Sequence, residues 1–442
     1  MTNPAVSMLK VWFICVAIYF LLPFQLVEKQ LTIEGLTVLG LFLGAFFIGT
    51  AAIRPARLKV GLHQKIVFAR TDRLLQVVSV IAVISLLIDL QSKDVFDLAL
   101  SYELRSDQAA ALMAGSASES SMWFQIAFLT YPASYAYLVR VIVFDRRPNL
   151  ARLAAFGLLP VLMITLAIGG RAPMLYGIVV SLAALGARRT FMLRQYPGTT
   201  PRRLGPLAWL CAAMVAGGAL YYFIAVFFAR AETLGGASAM FTIAEEIWGI
   251  RFRGPMASLM FSTLGEDITY VIFIFTWYVV QGFPMGNILF TEYSGPMQLG
   301  VYGVDLASAL VRRLDGELVA SHFDTLQQLG TYGFLPSAFG SLYVDFWLFG
   351  LVICVIWGAL CALVFQRIRA AKDSRWLLFA PFVTIGILFS LINTPIGFSN
   401  GLMTHVWLLV AFLAARQGAP IATRSTPVIA RRATNLGPSH HR

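Results

Sequence analysis

Charge is what this chain is shortest of. Only 13% of its 442 residues are Asp, Glu, Lys or Arg, about half the share usual in a soluble domain. With 58% hydrophobic residues and a mean hydropathy of +0.74, an ordinary water-soluble fold is excluded. Cysteine is scarce too. Cys15, Cys211, Cys354 and Cys361 each fall inside an apolar run, and no two make a CxxC pair. That spacing implies neither a zinc site nor a disulfide framework. A small-residue cleavage site is missing after the first apolar run, from Met8, and a second run follows at once. No cleavable signal peptide is expected.

What charge there is has a pattern. The net charge is +12, which by itself would suggest nucleic acid. Lys10 and five short stretches (54–73, 140–152, 188–203, 367–375 and the tail from 416) hold 25 of the 34 Lys and Arg but only three acids, Asp72, Asp145 and Asp373. The remaining residues carry 9 basic and 19 acidic side chains. Basic links alternating with apolar runs are the positive-inside pattern, so this side is expected to be cytoplasmic. The high pI needs no nucleic-acid partner.

Apolar runs near 20 residues long can cross the hydrocarbon core as helices. Ten crossings are expected, at about 8–27, 33–53, 74–91, 122–144, 152–169, 172–187, 207–229, 337–365, 376–393 and 400–416. The range is ten to twelve. The fold expected is all-α, a polytopic membrane bundle with both termini cytoplasmic. Four regions follow: a bundle of about seven helices over 1–229, a large outer loop with short helices over 230–336, C-terminal crossings over 337–416, and a disordered cytoplasmic tail over 417–442. The run 268–283 is apolar and aromatic but short. A crossing there would turn the basic links after it outward, so an interfacial or partly re-entrant helix is expected.

The scarce polar residues on the outer side are the candidates for chemistry. Arg171 sits in a Gly169-Gly170-Arg171-Ala172-Pro173 turn with almost no loop. It is either a snorkelling anchor or a clamp for an anionic substrate. Arg230 ends a crossing and has the same two readings. Arg251 and Arg253 share a face only if that segment is extended, where both can fork onto phosphate oxygens. Arg312 and Arg313, close to Asp315 and Glu317, read as a solvated ion-pair cluster. His322 is the one histidine of the outer loops. With Asp324 nearby it suits a general base. Asp345, near the outer end of a crossing, is expected to pair with an arginine such as Arg171 or Arg230. His405 reads as a helix-contact histidine.

Residues 325–335, running into Gly340-Ser341-Leu342-Tyr343-Val344-Asp345-Phe346-Trp347-Leu348-Phe349-Gly350, resemble the bacterial O-antigen repeat-unit polymerases of the Wzy type. Those proteins often carry an aromatic-x-Asp-Phe-Gly-x-x-Gly pattern where an outer segment enters a helix. Trp347 stands here where that pattern has its first glycine. The Gly-Gly-Arg171 turn and Gly300-Val301-Tyr302-Gly303 are similar to features of the same family, and the spacing of His322 to Gly333 matches one described for related ligases. The resemblance covers mainly 165–365. It implies a glycosyltransferase that moves a growing glycan from an undecaprenyl-diphosphate carrier to a carrier-linked repeat unit, without a nucleotide sugar or a metal cofactor. It also implies the bacterial cytoplasmic membrane, an active site on the periplasmic face, and lipid-linked donor and acceptor, membrane lipid and a chain-length regulator protein as partners. Arg171, Arg230, His322 and Asp324 are then expected to be catalytic, and Arg251, Arg253, Tyr343 and Asp345 to bind substrate. An O-antigen ligase using the same donor and a lipid-linked glycan transporter are the alternatives.

Overall fold

The computed structural model describes residues 3–26, 31–54, 64–93, 121–145, 148–192, 206–232, 234–252, 254–331, 333–370 and 373–420. Within these, Arg230 and His322 are described by backbone alone. Residues 94–120 and the expected disordered tail beyond 420 lie outside the described residues.

Among the described residues, eight helices are long and apolar enough to cross a membrane: Pro4–Leu21, Ile33–Ala52, Ala69–Ser92, Met122–Phe144, Leu150–Ala167, Ala172–Phe191, Gly254–Val280 and Ser337–Ala370. In lipid no water can satisfy a backbone N–H or C=O, so apolar runs of this length close their hydrogen bonds within a helix. The chain is an all-α polytopic membrane bundle. A further helix, Pro206–Glu232, covers the expected crossing at 207–229.

Small residues set the closest packing. The Ile33–Ala52 and Gly350–Ala370 helices touch where a Cβ on Gly49 would lie 2.0 Å from Val355 O, and one on Gly358 would lie 2.1 Å from Phe46 O. Lipid supplies no hydrophobic drive between helices, so backbone contact of this kind does the joining.

The basic links gather at one end. Arg140 bridges Asp72 and Asp145, at 2.7 Å each. Arg188 donates to Ile142 O at 2.9 Å. Strand Gln64–Val67 pairs with strand Arg416–Pro420, and Arg375 donates to Ala415 O at 3.0 Å.

At the opposite end the 268–283 run does not form a simple crossing. The Gly254–Val280 helix breaks at Gly265, whose φ of 77° and ψ of 173° lie outside helical space. Beyond the break it descends. Phe273 and Trp277 meet Phe24, which follows the Pro4–Leu21 helix, while Val279 O accepts from Cys15 Sγ halfway along that helix. The chain turns at Gln281 and returns as Gly282–Glu292. Asn287 Oδ1 there accepts from the backbone N–H of Thr32, the cap of the second helix, at 3.0 Å. The pair is a helical hairpin packed against the ends of the first two helices. Part of the expected outer loop is therefore core, with residues 282–290 all buried.

One expected crossing is broken, and the last two come out short. Ser337–Phe346 ends at Trp347, with φ 50°, before Gly350–Ala370 begins. The last pair comes out as Ala380–Phe389 and Gly401–Ala414, both shorter than a full crossing. They are joined by a non-helical tip, 390–400, in which Leu391, Thr394, Ser399 and Asn400 are buried. Irregular backbone inside a membrane bundle persists only where protein or a wet cavity satisfies it. Here the outer segment does so. Gly303 and Gly397 approach so closely that a Cβ on Gly397 would fall 1.8 Å from Gly303 O.

Candidate functional site: the arginine turn and the helix tip beside it

The Leu159–Ala167 helix ends at Gly169, which takes a left-handed φ of 53°. Gly170 N–H donates back to Thr165 O at 3.2 Å, and Gly169 N–H to Leu166 O at 3.0 Å. This is a helix stop that glycine allows at no steric cost. Arg171 follows at once as the residue preceding Ala172–Ala187, and Pro173 fits that helix's first turn. The guanidinium is thus held by two helix ends rather than a loop.

Arg171 is 8% exposed. Its Cζ lies 3.5 Å from the Phe227 ring centroid and 5.7 Å from that of Tyr278. Phe227 is in turn held edge-on by Phe275 and Tyr278. A guanidinium on an aromatic face keeps its in-plane N–H groups for other acceptors. Arg230 stands three residues beyond Phe227 on the same helix, hence on the same face. The Arg230 side chain lies outside the described residues.

The other sequence candidates fall elsewhere. The segment of Arg251 is extended, as the shared-face reading requires. Ile250–Phe252 pairs antiparallel with Phe24–Leu26. Arg251 makes an exposed ion pair with Glu245 at 3.4 Å. Its neighbour Phe252 packs on Phe273, two residues and roughly 200° around the helix from Phe275, so Arg251 and Arg171 are on opposite sides of it. Arg253 and the His322 side chain lie outside the described residues. Asp324 is exposed on the Gly316–Gln328 helix. Asp315 caps that helix, accepting from Leu318 N–H at 2.9 Å. Tyr343 is buried, stacked on Trp347 and edge-on to Phe290, a packing position. His405 is a helix contact as expected: Nδ1 lies 2.8 Å from Gly401 O, and the ring meets Phe382.

Asp345 corrects its expected partner. It is 2% exposed, and its carboxylate accepts from the backbone N–H groups of Tyr302 (3.0 Å) and Gly303 (2.8 Å), not from an arginine. Amide donors give a buried carboxylate hydrogen-bond partners without a cation. The consequence is architectural. Asp345 pins the 300–303 stretch onto the bundle, joining the two motifs that carried the family resemblance.

Sequence reading missed the tip. Tyr131 donates to Ser399 O at 3.0 Å. The Tyr135 hydroxyl donates to Pro173 O at 2.9 Å and lies 3.4 Å from Ser399 Oγ. Asn400 N–H donates to Asp305 Oδ2 at 3.4 Å. The available signal was Asn393-Thr394-Pro395 and Ser399-Asn400, too polar for mid-helix and too short for a surface loop. Comparison with protein-family models, curated proteins and solved structures returns no match.

Proposed function

We propose that this chain is an integral-membrane glycosyltransferase. It polymerises oligosaccharide repeat units carried on undecaprenyl diphosphate, with its basic end in the cytoplasm of a bacterium and Arg171 at the outer face of the cytoplasmic membrane. The observation that carries the reading is the buried Arg171 guanidinium, fixed by two helix ends on the Phe227 ring. An arginine near the bilayer costs roughly 2.5–3.5 kcal/mol even at the low end. An idle anchor avoids that by snorkelling to water. A sugar–diphosphate bond breaks readily once the charge growing on the leaving diphosphate is met by preorganised donors, and a forked guanidinium is the side chain best shaped for that. Arg230, one turn from Phe227, is the second cation of the pair. Donor and acceptor are both lipid-linked in this reading, which needs neither nucleotide sugar nor metal. A chain-length regulator is a further partner.

The test is polymer formation by purified protein in bilayers, given only carrier-linked repeat units. Arg171→Ala is expected to abolish long chains and leave single repeats. Chains of normal length from that variant overturn the assignment. In cells, loss of a polymerase leaves one-repeat bands on lipid A, whereas loss of a ligase leaves none. The broken helices around Gly265, Trp347 and the 390–400 tip favour one other reading, a carrier for the lipid-linked glycan, since such breaks line transport sites. Movement of the lipid-linked unit across a bilayer without formation of a glycosidic bond would select it.

A further inference from the structure

The basic end of the bundle holds a charged cavity for which the transfer chemistry has no use. Three spans meet there: Ala69–Ser92 and Leu150–Ala167 begin, and Met122–Phe144 ends. Between these helix ends lies a space of about 250 Å³ whose walls include Asp72, Arg140, Asp145, Asn149 and Arg152. One water takes up roughly 30 Å³ of liquid, so the space suits a larger guest.

Arg140 organises one wall. Its guanidinium forks onto Asp72 Oδ2 and Asp145 Oδ2, at 2.7 Å each, and lies 4.9 Å from the centroid of the Phe68 ring. The fork fixes both carboxylates but leaves an acceptor over. Asp72 Oδ1 is buried and has no hydrogen-bond partner among the described residues. A buried carboxylate oxygen without a donor is costly, and in a polar cavity it calls for one. The other wall donates. Asn149 Oδ1 is taken up by Arg152 N–H at 3.2 Å, which turns the amide N–H groups to other acceptors. Arg152 is exposed and makes no ion pair among the described residues.

Two arginines and two carboxylates give these walls no net formal charge. A bare anion meets the carboxylates, and a bare cation meets Arg140. A small zwitterion satisfies both walls at once. A primary ammonium brings three N–H donors, one of which suits Asp72 Oδ1. A phosphate suits the Arg152 guanidinium and the Asn149 amide. The cavity lies where three spans end, which is the level of the lipid headgroups, and charged pockets between membrane helices hold headgroups there. We infer that this cavity binds the headgroup of a phosphatidylethanolamine-type lipid, its ammonium on Asp72 and its phosphate on Arg152 and Asn149. The site depends on the membrane bundle and its basic end, and not on the polymerase reading.

The test places the purified protein in bilayer discs of phosphatidylethanolamine, phosphatidylcholine and phosphatidylglycerol in equal parts. The protein is moved into detergent, and native mass spectrometry counts the lipids it keeps. Phosphatidylethanolamine is expected to be kept over the other two by about 10-fold or more, the weight of one charge-assisted hydrogen bond. The quaternary ammonium of phosphatidylcholine has no N–H for Asp72, and phosphatidylglycerol brings no cation. Soluble phosphoethanolamine is expected to displace the kept lipid, while ethanolamine and inorganic phosphate given separately leave it bound. Arg152→Glu changes an exposed side chain, so it is expected to lose the preference at an unchanged melting temperature. Asp72→Asn is expected to lose it as well, and where that variant fails to fold, Arg152→Glu decides alone. Equal retention of the three lipids by wild type overturns the site, as does an intact preference in Arg152→Glu. Phosphoethanolamine that binds wild type while no phosphatidylethanolamine is kept overturns the lipid as the occupant. None of these outcomes bears on whether the same preparation forms polymer.

Discussion

A guanidinium 3.5 Å above a phenyl ring is held by a contact worth about 0.5–2 kcal/mol. Phe227→Leu keeps the volume and removes the ring's negative face. Polymerisation is expected to fall roughly 2- to 30-fold, by the same free energy, with Arg171→Ala far below it. Equal loss in the two variants would mean that the ring, and not the charge, does the work. Arg171 was legible in the sequence because glycines on one side and proline on the other leave it no loop to hide in. The partner of Asp345 was not, because backbone amides 42 and 43 residues away carry no mark in a sequence.

At the basic end, Asp373 and Arg375 make another residue-scale case. Burial pushes the Asp373 carboxyl up, but hydrogen bonds from Arg375 more than offset it and leave it below the usual carboxylate range. A folded-state pKa below the unfolded one gives stability that is present above the unfolded value and lost as pH falls through the folded one. Arg375 also donates to Ala415 O and lies over Phe412. Arg375→Ala is expected to cost about 1–3 kcal/mol at neutral pH, and the gap to wild type is expected to narrow in acid. Thermal melts at neutral and acid pH check both signs.

At the scale of elements, the apolar runs announced most of the helices, because a lipid-spanning helix needs little beyond length and low charge. The breaks were hidden. Trp347 takes a φ of 50° at the position where the resembled pattern carries glycine, but its own side chain gives no sign of a break. Helix contacts were equally silent, since a glycine that lets backbones touch looks like one that does not. Gly358→Leu is expected to force apart the Ile33–Ala52 and Gly350–Ala370 helices, because even a Cβ would meet Phe46 O at 2.1 Å. Overpacking of this kind costs at least about 1–3 kcal/mol. Gly186 is the control: a Cβ there meets nothing within 4 Å, and Gly186→Ala is expected to be neutral or to stabilise by up to about 1 kcal/mol. A melting temperature unchanged in Gly358→Leu would contradict the packing.

At the scale of the whole molecule, charge and path agree. Between the basic stretch at 188–203 and that at 367–375, the chain must cross an even number of times if both stretches are at one end. Pro206–Glu232 and the broken Ser337–Ala370 unit supply two crossings. On that count the Gly254–Val280 and Gly282–Glu292 pair is expected to enter and leave by the same face, which fits its contacts with Phe24, Cys15 and Thr32. Glu266 and Asp267, exposed just past the Gly265 break, argue the same way, since carboxylates at mid-membrane are costly. Single cysteines at Glu266 and Glu292, in a background with the native cysteines replaced, are expected to react with an impermeant maleimide from one side of sealed vesicles. One at Arg152, in the basic stretch 140–152, is expected to react only from the other. Labelling of Glu266→Cys and Glu292→Cys from opposite sides would make the hairpin a true crossing, reverse every segment after it, and put the basic residues 367–375 on the face of Arg171.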